Sequence, residues 1–328
     1  HMGNYYGRLT RPVAYFLLAK LALNAEVFSC DNPTTTARKA GRDIYFTVNG
    51  VQMNAWQTVI HYCNRIADLG YRLENNYADN FKIHNENSAE NIFTIPMDKH
   101  LYANQYQYLF RSRNYHHGKA LGLGSENGAC ATLSTVRAFG YGTPQVDHRY
   151  ALNFYSDTIL VDGDTVRLDD GTPLVYQPLE VQCNLSASRY IKTAGARMSK
   201  YEIDRKAFFD GKLQDNDIVL YRYADVLLML AEAKVRNGQN GDAELHLVRA
   251  RAGMGPRTAT LDNILAERLL ELMWEGWRRQ DLIRFSKFTQ AYDLRTPLTG
   301  ESNGHTTLFP IPNRAIGANK RLQPNSAF

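Results

Sequence analysis

Apolar positions in this chain change their period twice. From Thr10 onward Val13, Phe16, Leu17, Leu21, Val27 and Phe28 recur at close to helical spacing, with Ala14, Ala19, Ala22 and Ala25 between them. Small residues at that density let two helices approach closely. Asp31-Asn32-Pro33 and Gly41 interrupt the pattern, and residues 53–73, with Val59, Cys63, Ile66 and Leu69 on one face, predict a second helix. Residues 8–74 therefore read as a helical hairpin. Over residues 75–217 Pro, Gly, Asn and aromatic residues break every apolar run, so only short strands are expected. One is residues 92–95, closed by Pro96; two more, 158–161 and 165–168, join around Asp162-Gly163-Asp164, and Asp170-Gly171 marks a further turn.

Helix is expected again from Ile218, where Tyr223, Val226, Leu227 and Leu230 form one stripe. The run Asn237-Gly238-Gln239-Asn240-Gly241 turns the chain into a helix begun by Asp242 and ended near Gly253. A third helix is expected over residues 261–288, with Thr260 or Asp262 as its N-cap. The fold class that follows is mainly α: a tetratricopeptide-like helical scaffold with a large loop-rich insertion containing short β-strands. The expected organisation is one discontinuous domain over 1–328, with a helical hairpin at 8–74, an irregular ligand face at 75–217 and C-terminal helices and tail at 218–328.

Composition narrows the function classes. The 328 residues can bury a large core, and 38 basic against 33 acidic residues leave a formal charge of +5. The charges alternate in sign, so no basic stripe forms along which a run of phosphates could be neutralised, and nucleic acid is excluded as an expected partner. Tyrosine is in excess at 20 residues, with asparagine frequent in the middle third, a mixture suited to sugar faces and hydroxyls. Cys30, Cys63, Cys130 and Cys183 stand far apart without CxxC spacing, so no zinc or dithiol motif is expected. Free thiols are the expected state, since a large domain does not need staples. His1-Met2 reads as a cloning remnant, and no apolar run reaches membrane-spanning length.

The last third carries an ordered set of motifs: Tyr221-Arg222-Tyr223-Ala224-Asp225-Val226-Leu227-Leu228-Met229-Leu230-Ala231-Glu232-Ala233, Val248-Arg249-Ala250-Arg251-Ala252-Gly253, Glu267-Arg268, Glu271-Leu272, Trp274-Glu275-Gly276, Asp281-Leu282-Ile283-Arg284-Phe285 and Leu308-Phe309-Pro310-Ile311-Pro312. Upstream, the Arg8-Leu9-Thr10 helix and Asn91-Ile92-Phe93-Thr94-Ile95-Pro96 fit the same set. The whole resembles the SusD/RagB family of outer-membrane nutrient-binding lipoproteins, short of the long N-terminal portion, with its lipidated cysteine, that members usually carry ahead of the Arg8 helix. The resemblance implies a cell-surface, non-catalytic protein that holds an oligosaccharide, or in RagB-type relatives a peptide, for a SusC-like TonB-dependent transporter. Contact with the membrane would be only through a lipid anchor that this sequence does not contain, and no cofactor is implied. The other function class is a tetratricopeptide-like adaptor that docks protein helices.

Ligand-binding candidates lie where flat aromatic faces meet amide, guanidinium and imidazole groups outside regular helices: Tyr102, Tyr106, Tyr108, Phe110, Arg111, Arg113, Asn114, Tyr115, His116 and His117, with Tyr141 as a secondary candidate. The alternative is that these aromatics merely pin a long loop. Glu271 and Glu275, one turn apart, could resemble a glycosidase pair, but Arg268, Arg278 and Arg279 around them predict ion pairing instead. Trp56, Trp274 and Trp277 are expected in the core. Adjacent His116 and His117 diverge in most backbones and predict no metal site, and Asp162, Asp164, Asp169 and Asp170 predict turns, not a calcium loop. No phosphate loop, GxSxG elbow or HExxH occurs, so catalytic residues are expected to be none.

Overall fold

The computed structural model describes residues 5–101 and 112–324. The first helix, α1 (Arg11–Leu23), starts with Pro12 in its first turn, where the missing N–H costs no helical bond. A hairpin of β1 (Tyr45–Val48) and β2 (Val51–Asn54) follows, turned by Asn49 and Gly50 at positive φ of 50° and 81°, the geometry of a type I′ turn. It lies between the interruption that ends at Gly41 and the second helix, where no element was expected. Helix α2 (Ala55–Ala67) begins two residues later than the pattern implied. Asn54 accepts a hydrogen bond from the Gln57 amide while the Gln57 side chain accepts one from the Asn54 amide, a complete capping box.

The middle region contains more than short strands. Strand β3 (Asn91–Ile95) falls where Ile92 and its neighbours placed it. Three brief helices follow: α3 (Tyr115–Ala120), α4 (Leu133–Ala138) and α5 (Arg149–Asn153). Then come two-residue strands: β4 (Phe154–Tyr155), β5 (Asp157–Thr158), β6 (Leu160–Val161), β7 (Asp164–Thr165), β8 (Val175–Tyr176) and β9 (Arg197–Met198). Each sheet among the described residues has two antiparallel strands: β1 with β2, β3 with a late strand, β4 with β9, β5 with β8, and β6 with β7.

That late strand corrects the expectation of helix at Ile218: β10 (Ile218–Arg222) pairs antiparallel with β3, and helix α6 (Tyr223–Arg236) starts only afterwards. An apolar run of that length fits either state, and the partner strand decides. Helix α7 (Asp242–Arg251) returns against α6. A Cβ on Gly241 would stand 2.7 Å from the Ala231 carbonyl oxygen, so the close turn between the two helices requires glycine there.

The single helix expected over residues 261–288 is two, α8 (Leu261–Glu271) and α9 (Arg278–Arg284). Trp274 between them takes φ of +67°. A tryptophan in the left-handed region is strained by roughly 1–3 kcal/mol and is held by its surroundings. Here it packs against the cluster of Val136, Phe139, Tyr150, Phe154 and Leu270 and against that of Tyr77, Phe81 and Tyr201. A short helix, α10 (Asn313–Ala318), lies near the end of the chain.

The main core joins α1, α2 and α6 through Phe16, Trp56, Val59, Ile66, Val226 and Met229, and α6 to α8 share Leu228, Leu245, Val248 and Ile264. The architecture is predominantly helical, as the periodicity implied. Within it lie two buried ionic chains. In one, Arg222 donates to Glu90 at 2.8 Å, Glu271 at 2.5 Å and Glu275 at 2.8 and 2.7 Å, Arg149 reaches Glu267 and Glu271 at 2.7 Å, and Lys200 reaches Glu275 at 2.6 Å. In the other, Lys20 pairs with Asp225 at 2.6 Å, Asp225 with Arg268 at 2.7 Å, Arg268 with Asp281 at 2.9 Å, and Asp281 and Glu232 with Arg284 at 2.8 Å. Residues of the C-terminal motifs make up most of both chains.

Candidate functional site

The segment that follows the 102–111 gap in the described residues is anchored from below. Ser112 donates its hydroxyl to the Ala129 carbonyl at 2.9 Å and accepts the Met198 amide at 2.7 Å. Asn114 caps α3: its side-chain oxygen accepts the His116 amide at 2.9 Å, and its amide nitrogen donates to the Lys192 carbonyl at 3.3 Å. Gly118 lets the turn close down on Ser125, since a Cβ would meet the Ser125 hydroxyl at 2.3 Å. The result is a ledge, residues 112–118, held against Lys192 on one side and reaching Asp169 through His116, with Tyr115 its exposed residue.

The sequence candidates separate on this ledge. Tyr115 is 60% exposed, and beside it His116 faces Asp169 at 3.5 Å. Arg113, Asn114 and His117 point inward. Arg113 has no carboxylate within ion-pair distance among the described residues, and burial pulls its guanidinium below the usual arginine range. It lines a cavity of about 10 Å³ with Tyr155, Tyr201 and Gln214, room for about one water. His117 is driven down to about 3 by burial and then by the nearby Arg113 charge, so it is a neutral imidazole. Tyr141 is half-buried against the Phe139 and Tyr150 cluster, donates to Asp157 at 2.6 Å and packs against Tyr150. Tyr102, Tyr106, Tyr108, Phe110 and Arg111 lie outside the described residues.

Tyr176 was not singled out from the sequence. It is buried on β8, and its hydroxyl accepts the Asn114 amide hydrogen at 2.8 Å. Its partner is 62 positions away, and no local pattern announces the contact.

The carboxylates considered for catalysis or metal have other work. Glu271 is fully buried, and the charges of Arg251, Arg222 and Arg149 outweigh its burial and hold it well below the usual carboxylate range. The Glu275 side chain is 2% exposed and held by Arg222 and Lys200. Neither faces an open cleft. Asp162 forms a twofold contact with Arg205, both at 2.8 Å, and Asp170 accepts the amide and hydroxyl of Thr172. No grouping of three or more His, Cys, Asp or Glu able to hold a metal occurs among the described residues. All four cysteines are unpaired thiols. Trp56 is buried beneath Arg236, and Trp277 lies under the Lys20 ammonium at 3.9 Å. No helix among the described residues is long and apolar enough to cross a membrane.

A larger depression, about 680 Å³, opens elsewhere, between α8, α9 and the 288–295 segment. Its lining includes Val181, Leu269, Leu282, Leu294, Arg278 and Arg279. Arg278 and Arg279 donate to backbone carbonyls and have no carboxylate partner among the described residues.

Comparison with known proteins places this architecture. The chain is 30% identical over 139 residues to the starch-binding protein SusD of Bacteroides thetaiotaomicron, a match covering 40% of this chain and 25% of that protein. It is 33% identical over 150 residues to the SusD-like protein P38 of Formosa agariphila, covering 40% of this chain and 28% of the relative. Surface glycan-binding protein A of Bacteroides thetaiotaomicron superposes with a TM-score of 0.71 at 23% identity, over 99% of this chain and 65% of its own. The same protein in complex with laminarihexaose gives 0.55 at 22% identity, over 99% and 66%. The chain thus spans just under two thirds of these solved structures, and its curated matches cover about a quarter of each relative. The SusD family model matches residues 89–328; with α6 to α9 and the buried charges of their motifs in place, the chain belongs to the SusD family.

Proposed function

We propose that the protein captures an oligosaccharide at the cell surface and presents it to a SusC-like TonB-dependent transporter, without chemistry on the ligand. The observation that carries this reading is the family match over residues 89–328, which includes the ledge. Support comes from the exposed Tyr115 ring beside His116 and Asp169, an aromatic face flanked by hydrogen-bonding groups. Burial of Glu271 and Glu275 among cations favours binding over hydrolysis. Outer-membrane location through a lipid anchor, and the 75–217 region as ligand face, belong to the same proposal.

Isothermal titration with maltohexaose and laminarihexaose tests it. Binding of one of them, weakened at least tenfold by Tyr115→Ala or Tyr106→Ala, is the expected result. Unchanged affinity in both variants would remove the site assignment, and no binding of either glucan or of a broader glycan array would remove the glycan reading.

A second reading, peptide capture, is favoured by the 680 Å³ depression, whose aliphatic floor and carboxylate-free arginines suit apolar and acidic side chains better than sugar hydroxyls. The adaptor reading draws on Leu17, Leu18 and Leu21, exposed at helical spacing on α1.

A further inference from the structure

On the glycan-capture reading, the ledge needs a fixed shape, and its shape depends on a buried group from another part of the chain. The Tyr176 ring is fully buried in a cluster with Ile159, Val166 and Leu174, below the ledge. Its oxygen accepts the Asn114 N–H at 2.8 Å and lies 3.2 Å from Nδ1 of His117. The Arg197 guanidinium sits over the ring at 5.0 Å, and the edge of Tyr155 meets the His117 ring at 4.8 Å, so the three groups are walled in.

Counting donors and acceptors settles where the protons are. A neutral imidazole has one N–H and one bare nitrogen. If Nδ1 carried the hydrogen, the Tyr176 oxygen would accept twice and its own O–H would have no acceptor inside a fully buried site. Such an orphan costs about 1–3 kcal/mol. If Nδ1 is bare, both donors that meet at Tyr176 have acceptors: Asn114 N–H donates to Tyr176 Oη, and Tyr176 O–H donates to His117 Nδ1.

We propose that Tyr176 is the positioning residue of the ledge: by relaying the Asn114 amide to Nδ1 of His117 it fixes His117 as the Nε2–H tautomer and holds the turn that presents Tyr115 and His116. The relay spans both sides of the helix cap. Asn114 uses its side chain for the His116 amide and its main-chain N–H for Tyr176, while His117 sits one residue beyond the presented pair. Burial keeps His117 uncharged through the physiological range and pushes the Tyr176 hydroxyl up to about 12, so neither end of the relay titrates there.

The test has a ligand-free arm and a ligand arm. Nitrogen-15 spectra of imidazole-labelled protein should show His117 with a protonated Nε2 and a bare Nδ1, unchanged across about pH 5 to 8. An Nδ1–H tautomer, or titration within that window, overturns the relay whatever the protein binds. In Tyr176→Phe, hydrogen exchange at residues 114–118 should accelerate about tenfold, the factor expected for loss of one ordinary hydrogen bond, while exchange in α6 stays as in the unaltered protein. Affinity for whichever hexaose binds should fall by a similar factor. Unchanged exchange in Tyr176→Phe overturns the positioning role. Should Tyr176→Phe not fold, His117→Leu, which takes away the acceptor of the Tyr176 O–H together with the rest of the imidazole but leaves Tyr176 in place, carries the same two measurements. Failure of both hexaoses to bind would count against the glycan reading alone, because tautomer and exchange are read without ligand.

Discussion

Arg222 connects more of the interior than any one pair would show, and replacing it tests the reading of the C-terminal motifs as scaffold. The side chain is 1% exposed and serves three carboxylates, Glu90, Glu271 and Glu275, and the Glu271 carbonyl at 2.6 Å. In Arg222→Met the chain length and most of the packing volume remain, but the cation is gone. Glu271 would keep Arg149 and Arg251, and Glu90 would keep Arg251, whereas Glu275 would keep only Lys200. Removing one partner from a buried ionic group costs about 3–5 kcal/mol, because the remaining charge stays desolvated. With a urea dependence of about 3 kcal/mol per molar, the unfolding midpoint should fall by roughly 1 M or more.

The deficit should also depend on pH. Glu271 is held low in the folded protein, chiefly by Arg251, Arg222 and Arg149, so its pairing contributes stability above the unfolded carboxylate range of about 4.3 and loses it as the pH falls. The gap between variant and unaltered protein should therefore be widest at neutral pH and narrow on acidification. Urea titrations at several pH values, followed by circular dichroism, measure both effects. A midpoint shift below about 0.3 M at neutral pH, or a gap independent of pH, would refute the argument.

The other ionic chain predicts steep acid unfolding. Asp225, Glu232 and Asp281 are all held below the usual carboxylate range, with Arg268, Arg284 and Lys20 as the main attracting charges. Their contribution is present above the unfolded pKa values of about 4 and is lost as the pH falls through the folded ones. Potentiometric titration across the acid transition should record uptake of more than one proton per molecule, and a single-proton transition would contradict it. Gly241→Ala should destabilise by about 1–3 kcal/mol, since the new methyl meets the Ala231 carbonyl. Thermal unfolding reads this directly, and a neutral effect would show that the α6–α7 turn can widen.

Helices α1, α2 and α7 were legible because each buries one face, and a period of 3.6 survives in the residue order; α6, buried on all sides from Ala224 to Ala233, was legible from its length and from the Asn237-Gly238 turn that ends it. Residues 218–222 were not, because Ile218, Val219, Leu220 and Tyr221 are apolar without a period, and only pairing with β3 more than a hundred positions away makes them a strand. The break after Glu271 was hidden for the opposite reason. The helical pattern runs on past it, and the left-handed turn at Trp274 is imposed by packing against two clusters. The Asn49-Gly50 turn is a plain hairpin signal in a stretch, between Gly41 and Met53, for which no element was expected. Within the site, type and neighbourhood were legible but direction was not: Tyr115 faces out while Asn114 and His117 face in, which depends on the Asn114 cap and on Tyr176. Glu271 and Glu275 are ion-paired, as expected, but not by the expected Arg268, Arg278 and Arg279: their partners are Arg149, Lys200, Arg222 and Arg251, brought in from distant positions, while Arg268 turns to Asp225 and Asp281 and Arg278 and Arg279 to backbone carbonyls.

The two-stranded sheets of the middle region bear on how such a protein could change its ligand. A strand with a single neighbour has one register to keep, so lengthening a connection disturbs one ladder and leaves the others intact. Added loop length is also cheap in closure entropy, about 0.6 kcal/mol for each doubling. The helices and their buried charges tolerate no comparable freedom. The fold therefore separates a part that cannot vary in length from one that can, and exposed turns such as 169–173, which leave the buried Ile159, Val166, Leu174 and Tyr176 in place, are where a transplanted loop from another family member would be accepted without refitting the interior.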